Sequence, residues 1–190
     1  MKFKKSLVSL IVVFAVAPFA NAYMFQGLDV DVDYWSGIAA GQNVNETIIV
    51  VDWNAANGPY TTESHAFGYR WTGTLTVGDA LDDIDGNGGF NINLTAGGYI
   101  SDTNYNDGLD SHTQTGDDWT WVGQTVDAGA NWIGNGGGVY AETLVDGNIE
   151  GLNINYMDWT SVNLDIPTIP EPTTIALLSI GGLLLRRRKA

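Results

Sequence analysis

The chain has 190 residues, 22 acidic side chains against eight basic ones, a net charge of −14 and no cysteine. That length supports one domain with one real core, and the lack of cysteine excludes disulfides, thiol catalysis and thiolate metal sites. Every acid lies between Asp29 and Glu171, where Arg70 is the one cation, so the central field repels nucleic-acid phosphates and anionic lipid surfaces and attracts divalent cations or basic partners.

The other seven Lys and Arg residues sit at the two ends, in segments that read as processing signals. Residues 1–22 have the parts of a secretory signal peptide. Lys2, Lys4 and Lys5 form a positive start, Leu7 to Phe19 an apolar run, and Ala20-Asn21-Ala22 an A-x-A cleavage site, so that signal peptidase would leave Tyr23 as the first residue. Residues 23–168 then form the predicted mature domain.

Within it, Asp29, Asp31 and Asp33 alternate on an extended segment, a pattern that suits a solvated strand edge. Glu46-Thr-Ile-Ile-Val-Val-Asp-Trp53 holds four consecutive β-branched aliphatics, which predicts a central strand covered on both faces. Ala66-Phe-Gly-Tyr-Arg-Trp-Thr-Gly73 alternates and predicts a second strand, with Tyr69 and Trp71 on one face and Gly68 and Arg70 on the other. Residues 76–84 are the best helix candidate, opened by a capping-box pattern at Thr76 and Asp79 and closed by Gly86-Asn87-Gly88-Gly89. Gly78 argues against that helix. Short β-like pieces follow at 90–94, 99–100, 119–126, 138–144 and 149–159, with turn signals at Asn106-Asp107-Gly108, 134–138 and Asp146-Gly147. The predicted fold class is mainly β, a β-rich domain with one short helix, flanked by the signal peptide and a C-terminal membrane helix.

Three groups carry candidate chemistry. Asp83-Ile-Asp85-Gly-Asn87-Gly88 fits the start of a Ca²⁺ loop, whose spacing aims alternate oxygens at one point. Leu94 occupies the position where that loop needs a bidentate acid, so a helix-ending Asx turn competes with Ca²⁺ as the explanation. Trp119 and Trp121 share a strand face and offer flat apolar surfaces of the kind sugars stack on, against the alternative of core packing. Arg70 is a candidate clamp for a carboxylate-bearing ligand, against internal pairing with an acid or stacking on a tryptophan. No catalytic motif is present. His65 and His112, the two histidines, each follow a serine, and strand neighbours point to opposite faces, so neither pair makes a nucleophile and base. The expectation is therefore a non-enzyme, with a glycoside hydrolase as a distant alternative built on two converging acids.

The C-terminal segment 169–190 returns to processing. Pro170-Glu171-Pro172 precedes an uncharged run, 173–185, and the cations Arg186, Arg187, Arg188 and Lys189. As a helix that run would reach only ~20 Å against a hydrocarbon core of ~30 Å, a marginal span with its cations held on the cytoplasmic side. Pro-Glu-Pro, an apolar helix containing Gly181-Gly182 and a basic end together resemble the PEP-CTERM sorting signal of Gram-negative bacteria. The resemblance implies a substrate of exosortase, anchored transiently in the inner membrane, cut near Pro-Glu-Pro and delivered to the cell surface or extracellular matrix. Separately, Tyr34-Trp35-x-Gly37, residues 48–54 and Phe67-Gly-Tyr-Arg-Trp-x-Gly73 resemble a GYRW pattern of secreted bacterial proteins, which implies one integral domain and no particular chemistry. The expected role is structural or adhesive, in an exopolysaccharide or biofilm matrix. The alternative is a carbohydrate-binding module using exposed tryptophans, with or without Ca²⁺.

Overall fold

The β-branched run at residues 47–51 lies at the centre of the molecule. A computed structural model describes residues 22–53, 64–115, 120–134, 137–154 and 164–168, and the fold is β-rich with one short helix. β4 (Asn45–Asp52) is an inner strand of a six-stranded mixed sheet. On one side it pairs antiparallel with β5 (Ser64–Trp71), which pairs parallel with the edge strand β3 (Tyr34–Gly37). On the other side it pairs parallel with β11 (Ile149–Asn153), followed outward by β9 (Trp121–Thr125) and β10 (Ile133–Gly134).

Both faces of this sheet are covered, as the unbroken aliphatic run predicts. Ile48 and Val50 point into a cluster with Phe25, Val30, Val32, Ala66 and Ile149. That layer comes from the hairpin of β1 (Ala22–Phe25) and β2 (Leu28–Asp31), whose two-residue turn places Gln26 and Gly27 at φ of 49° and 82°. Ile49 and Val51 point the other way, to Phe67, Tyr69, Leu81, Phe90 and Leu152. Each buried Ile or Val contributes on the order of 1.5–3 kcal/mol by area removed from water.

The second layer has two parts. Helix α1 (Val77–Ile84) carries the predicted capping box: Thr76 accepts from the Asp79 N–H, and the Asp79 carboxylate accepts from the Thr76 N–H. It buries Val77, Ala80, Leu81 and Ile84. Gly78 does not break it, because the ring of Tyr140 lies where a side chain would go; a Cβ there would meet Tyr140 at 2.2 Å. The other part is an antiparallel sheet of β6 (Phe90–Leu94), β7 (Ile100–Asn106) and β8 (Ser111–Thr115).

Two β-like pieces behave differently from expectation. Residues 138–144 form turns rather than a strand, with a lone bridge between Thr76 and Thr143. Their backbone is used on the helix start instead: Glu142 and Val139 carbonyls accept from the N–H groups of Val77 and Gly78, both at 2.9 Å. Those first-turn donors have no partner within a helix. The piece predicted at 149–159 is a strand only as far as Asn153, and its remainder beyond residue 154, with Trp159, lies outside the described residues.

Candidate functional site: a histidine–carboxylate cluster

The two histidines, each next to a serine in sequence, come together in the fold. His65 lies on β5 opposite Val51, on the face that looks toward the three-stranded sheet. His112 lies on β8 opposite Tyr105. Between the rings stands Asp110, whose Oδ2 is 3.1 Å from His65 Nε2 and 2.8 Å from His112 Nε2. Asp33, in the link between β2 and β3, closes the far side of His65, with Oδ2 at 3.1 Å from Nδ1.

Local sequence explains each position. The predicted turn at Asn106-Asp107-Gly108 connects β7 to β8. The Asp107 carboxylate accepts from the N–H groups of Leu109 and Asp110, and Asn106 Oδ1 accepts from Gly108 N–H. These Asx turns fix the loop, and Asp110 Oδ1 accepts from Ser111 N–H at 2.7 Å. Asp110 and His112 are two apart on extended chain and so reach the same side. Asp33 is held to β5 by its own N–H on the Ala66 carbonyl (2.9 Å) and by the Ala66 N–H on its carboxylate (3.2 Å). Aromatic rings form the walls: Trp53 stacks on His112 at 5.1 Å, and Tyr105 lies 3.7 Å from the His65 ring centre.

The electrostatics follow from this arrangement. Burial alone would lower the basicity of His65, but hydrogen bonds and charge from Asp33 and Asp110 outweigh it and raise its pKa above the usual imidazole value. For Asp110, burial pushes upward, and the bonds from His112, Ser111 and His65 overcome it and hold the carboxyl below its ordinary range. The side chains of His112 and His65 are 7% and 13% exposed, against 33% for Asp110, so the cluster opens to solvent on the Asp110 side. Imidazole nitrogens and carboxylate oxygens in this arrangement suit proton exchange or binding of a cation.

The residues singled out from sequence are placed as follows. Asp83 Oδ2 accepts from the Tyr69 hydroxyl (2.6 Å), Asp85 Oδ1 accepts from Ile92 N–H (2.8 Å), and Asn87 donates to the Asp83 carbonyl (3.0 Å). Each engages a different partner, and the segment ends α1 as an Asx-rich turn. Arg70 donates from Nε to Glu46 Oε1 at 2.7 Å, and its guanidinium lies 3.7 Å over the Trp35 ring. Glu46 also accepts from the Tyr23 hydroxyl. Gly68 makes room for this stack, since a Cβ there would lie 2.3 Å from Trp35. An open groove of about 500 Å³ beside it is bordered by Ser36, Ile38, Arg70, Thr72 and Asp83. Trp121 opens β9; Trp119 lies outside the described residues, as do Ala20, Pro170, Glu171, Pro172, the run 173–185 and Arg186, Arg187 and Arg188. Ala22 is the first residue of β1. Of the described tryptophans, Trp53 and Trp71 are buried in the core. Among the described residues, no helix is long and apolar enough to cross a membrane.

Sequence reasoning missed the cluster, although two signals pointed to it. One is the alternating Asp110-x-His112; the other is that a chain of 190 residues holds just two histidines. No protein-family model matches the chain, and no curated protein or solved structure matches it either.

Proposed function

We propose that the chain is an exported cell-surface or matrix protein, matured at both ends, whose domain acts through its surface and its binding groups rather than through catalysis. The observation that carries this reading is the meeting of the two processing junctions on one strand. Tyr23, the expected first residue after cleavage, pairs with Val30 of β2. Thr168, two residues before Pro170, bridges to Val30 on the same β2, and the Asp31 N–H donates to the Pro167 carbonyl at 3.0 Å. On this reading trimming leaves these pairings in place, since Tyr23, Pro167 and Thr168 all lie within the expected mature chain. The excess of acids over the one cation of the central region supports a solvated, extracellular surface.

The test is the mass of the protein recovered from an exopolysaccharide-producing Gram-negative host that carries an exosortase. The expected product begins at Tyr23 and ends near Pro170–Pro172, and Glu171→Ala leaves the tail attached. Recovery of a product that still carries Arg186 to Lys189 from the unaltered chain would overturn the reading.

A further inference from the structure

We infer that His65, Asp110 and His112 form a binding site for a divalent transition metal of the zinc class, with Asp33 as the group that orients His65. This inference stands on the described geometry and is independent of how the chain is sorted.

The donor atoms come first. One ring nitrogen of each of His65 and His112 and an Asp110 oxygen all lie within 4.8 Å of one another, and among the described residues no other three His, Asp or Glu side chains do so. The edges of a tetrahedron with metal–ligand bonds of ~2.0–2.1 Å are about 3.3 Å long. Two of the three separations here are 3.1 and 2.8 Å, so small rotations of the rings and the carboxylate admit an ion.

The second argument is the partner on the far side of His65. Metal-bound histidines commonly donate their other ring N–H to a carboxylate, which sets the tautomer and the ring plane. Asp33 does this at Nδ1, and it is itself tied to the Ala66 N–H and within 3.4 Å of the Tyr105 hydroxyl. A neutral imidazole has one N–H to give. Where that N–H is given to Asp33, as a metal-bound imidazole requires, the Nε2 lone pair opposes the Asp110 oxygen at 3.1 Å, a place that a proton shared with Asp110 takes in the ion's absence. A metal ion between them turns that opposition into two bonds.

The third argument is chemical class. Two imidazoles and one carboxylate match zinc and its neighbours, whereas Ca²⁺ takes oxygens. The rings of Trp53 and Tyr105 wall the site on its inner side, and an apolar wall limits solvent access to a bound ion. Three protein donors leave a fourth position for water or a ligand atom. Because His65 belongs to β5 and the other two ligands to β8 and the turn before it, the ion ties the three-stranded sheet to the main sheet.

The test uses the full chain in detergent, carrying a tag without histidine and stripped with chelator, titrated with Zn²⁺ alone. One equivalent is expected to bind, and Co²⁺ in its place gives the visible bands of a tetrahedral site. With two histidines in the chain, NMR shows both imidazoles shifting together at one equivalent, a readout needing no variant. His65→Ala and His112→Ala abolish uptake; Asp33→Asn keeps the stoichiometry and weakens affinity by about 10–100-fold. Millimolar Ca²⁺ does not compete. Absence of Zn²⁺ uptake by the folded chain would overturn the site and leave a proton in the ion's place. Uptake that shifts neither imidazole, or that Ca²⁺ displaces, would overturn it equally.

Discussion

At one end of the main-sheet face that meets α1 and the three-stranded sheet, Asp33 and Asp110 bracket His65, and Asp110 also meets His112. Farther across the same face, Glu150 lies in β11 opposite Ile49 and Gln124, fully buried, with neither carboxyl oxygen hydrogen-bonded among the described residues. Asp110 is held below the usual carboxylate range by its donors. Glu150 is pushed up to about 9, by burial first and then by the charge of Glu142. One face of the main sheet thus meets an ionised, partnered carboxylate and carries a neutral, unpartnered one. Burial acts in the same direction on both; the supply of donors decides the outcome.

The largest expected effect tests the unpartnered end. An unfolded glutamate titrates near 4.5, whereas Glu150 in the fold titrates at about 9. Between those values the folded chain keeps a proton that the unfolded chain releases. Stability on this account is complete below pH 4.5 and declines as pH rises toward 9. At pH 7 the penalty is about 3 kcal/mol. Glu150→Gln removes it, so the variant should gain about that much over the parent at pH 7 and nothing at pH 4, read from urea midpoints. The field of the other acids acts on both chains and cancels in the difference. An equal gain at both pH values would show that Glu150 is not a buried neutral acid and would collapse the contrast.

The partnered end is tested by removing its centre. Asp110→Ala leaves two part-buried ring nitrogens without their acceptor and Ser111 N–H without its own. In chelator at pH 7 the expected loss is about 2 kcal/mol, within the range for orphaned buried donors and reduced by the partial exposure of Asp110. A neutral result would mean that solvent replaces the carboxylate without cost, and the two ends would then differ only in depth.

How much of this was legible depends on the distance over which each feature is assembled. β4, the alternating faces of β5, the capping box at Thr76 and the strand 90–94 all rest on residues within a few positions of one another, and the sequence displays them directly. At Asp83, Asp85 and Asn87 the same local spacing suits both a Ca²⁺ loop and the end of a helix. The partners Tyr69 and Ile92, which come from other segments, are not visible in that spacing. The histidine cluster joins residues 33, 65, 110 and 112, three stretches brought together by sheet packing, so no window of sequence contains it. Residues 138–144 look like a strand by composition, yet their carbonyls serve the first turn of α1, a demand set by tertiary placement. The β1–β2 turn was hidden for a smaller reason: Gln26 takes positive φ, a conformation more usual for Gly, Asn or Asp.

The smallest effect comes from a local device that belongs to neither cluster, and its pH dependence has the opposite sign. Thr76 Oγ1 accepts from Asp79 N–H at 3.2 Å and donates to Asp79 Oδ2 at 2.7 Å, while Oδ2 also accepts from Thr76 N–H at 2.8 Å. The backbone bond to Thr76, then the hydroxyl bond, hold the Asp79 carboxyl below its ordinary value. A depressed pKa stabilises the fold above the unfolded value and loses that contribution as pH falls through the folded one. Thr76→Ala should cost about 1 kcal/mol at pH 7, and Thr76→Ser should restore it. Below pH 4 the cost should shrink, because a protonated Asp79 no longer holds the hydroxyl as firmly. The two curves therefore diverge: as pH rises, Glu150→Gln gains stability over the parent and Thr76→Ala loses it. Parallel curves would mean that overall charge, rather than the partners of individual carboxyls, governs the acid response of this fold.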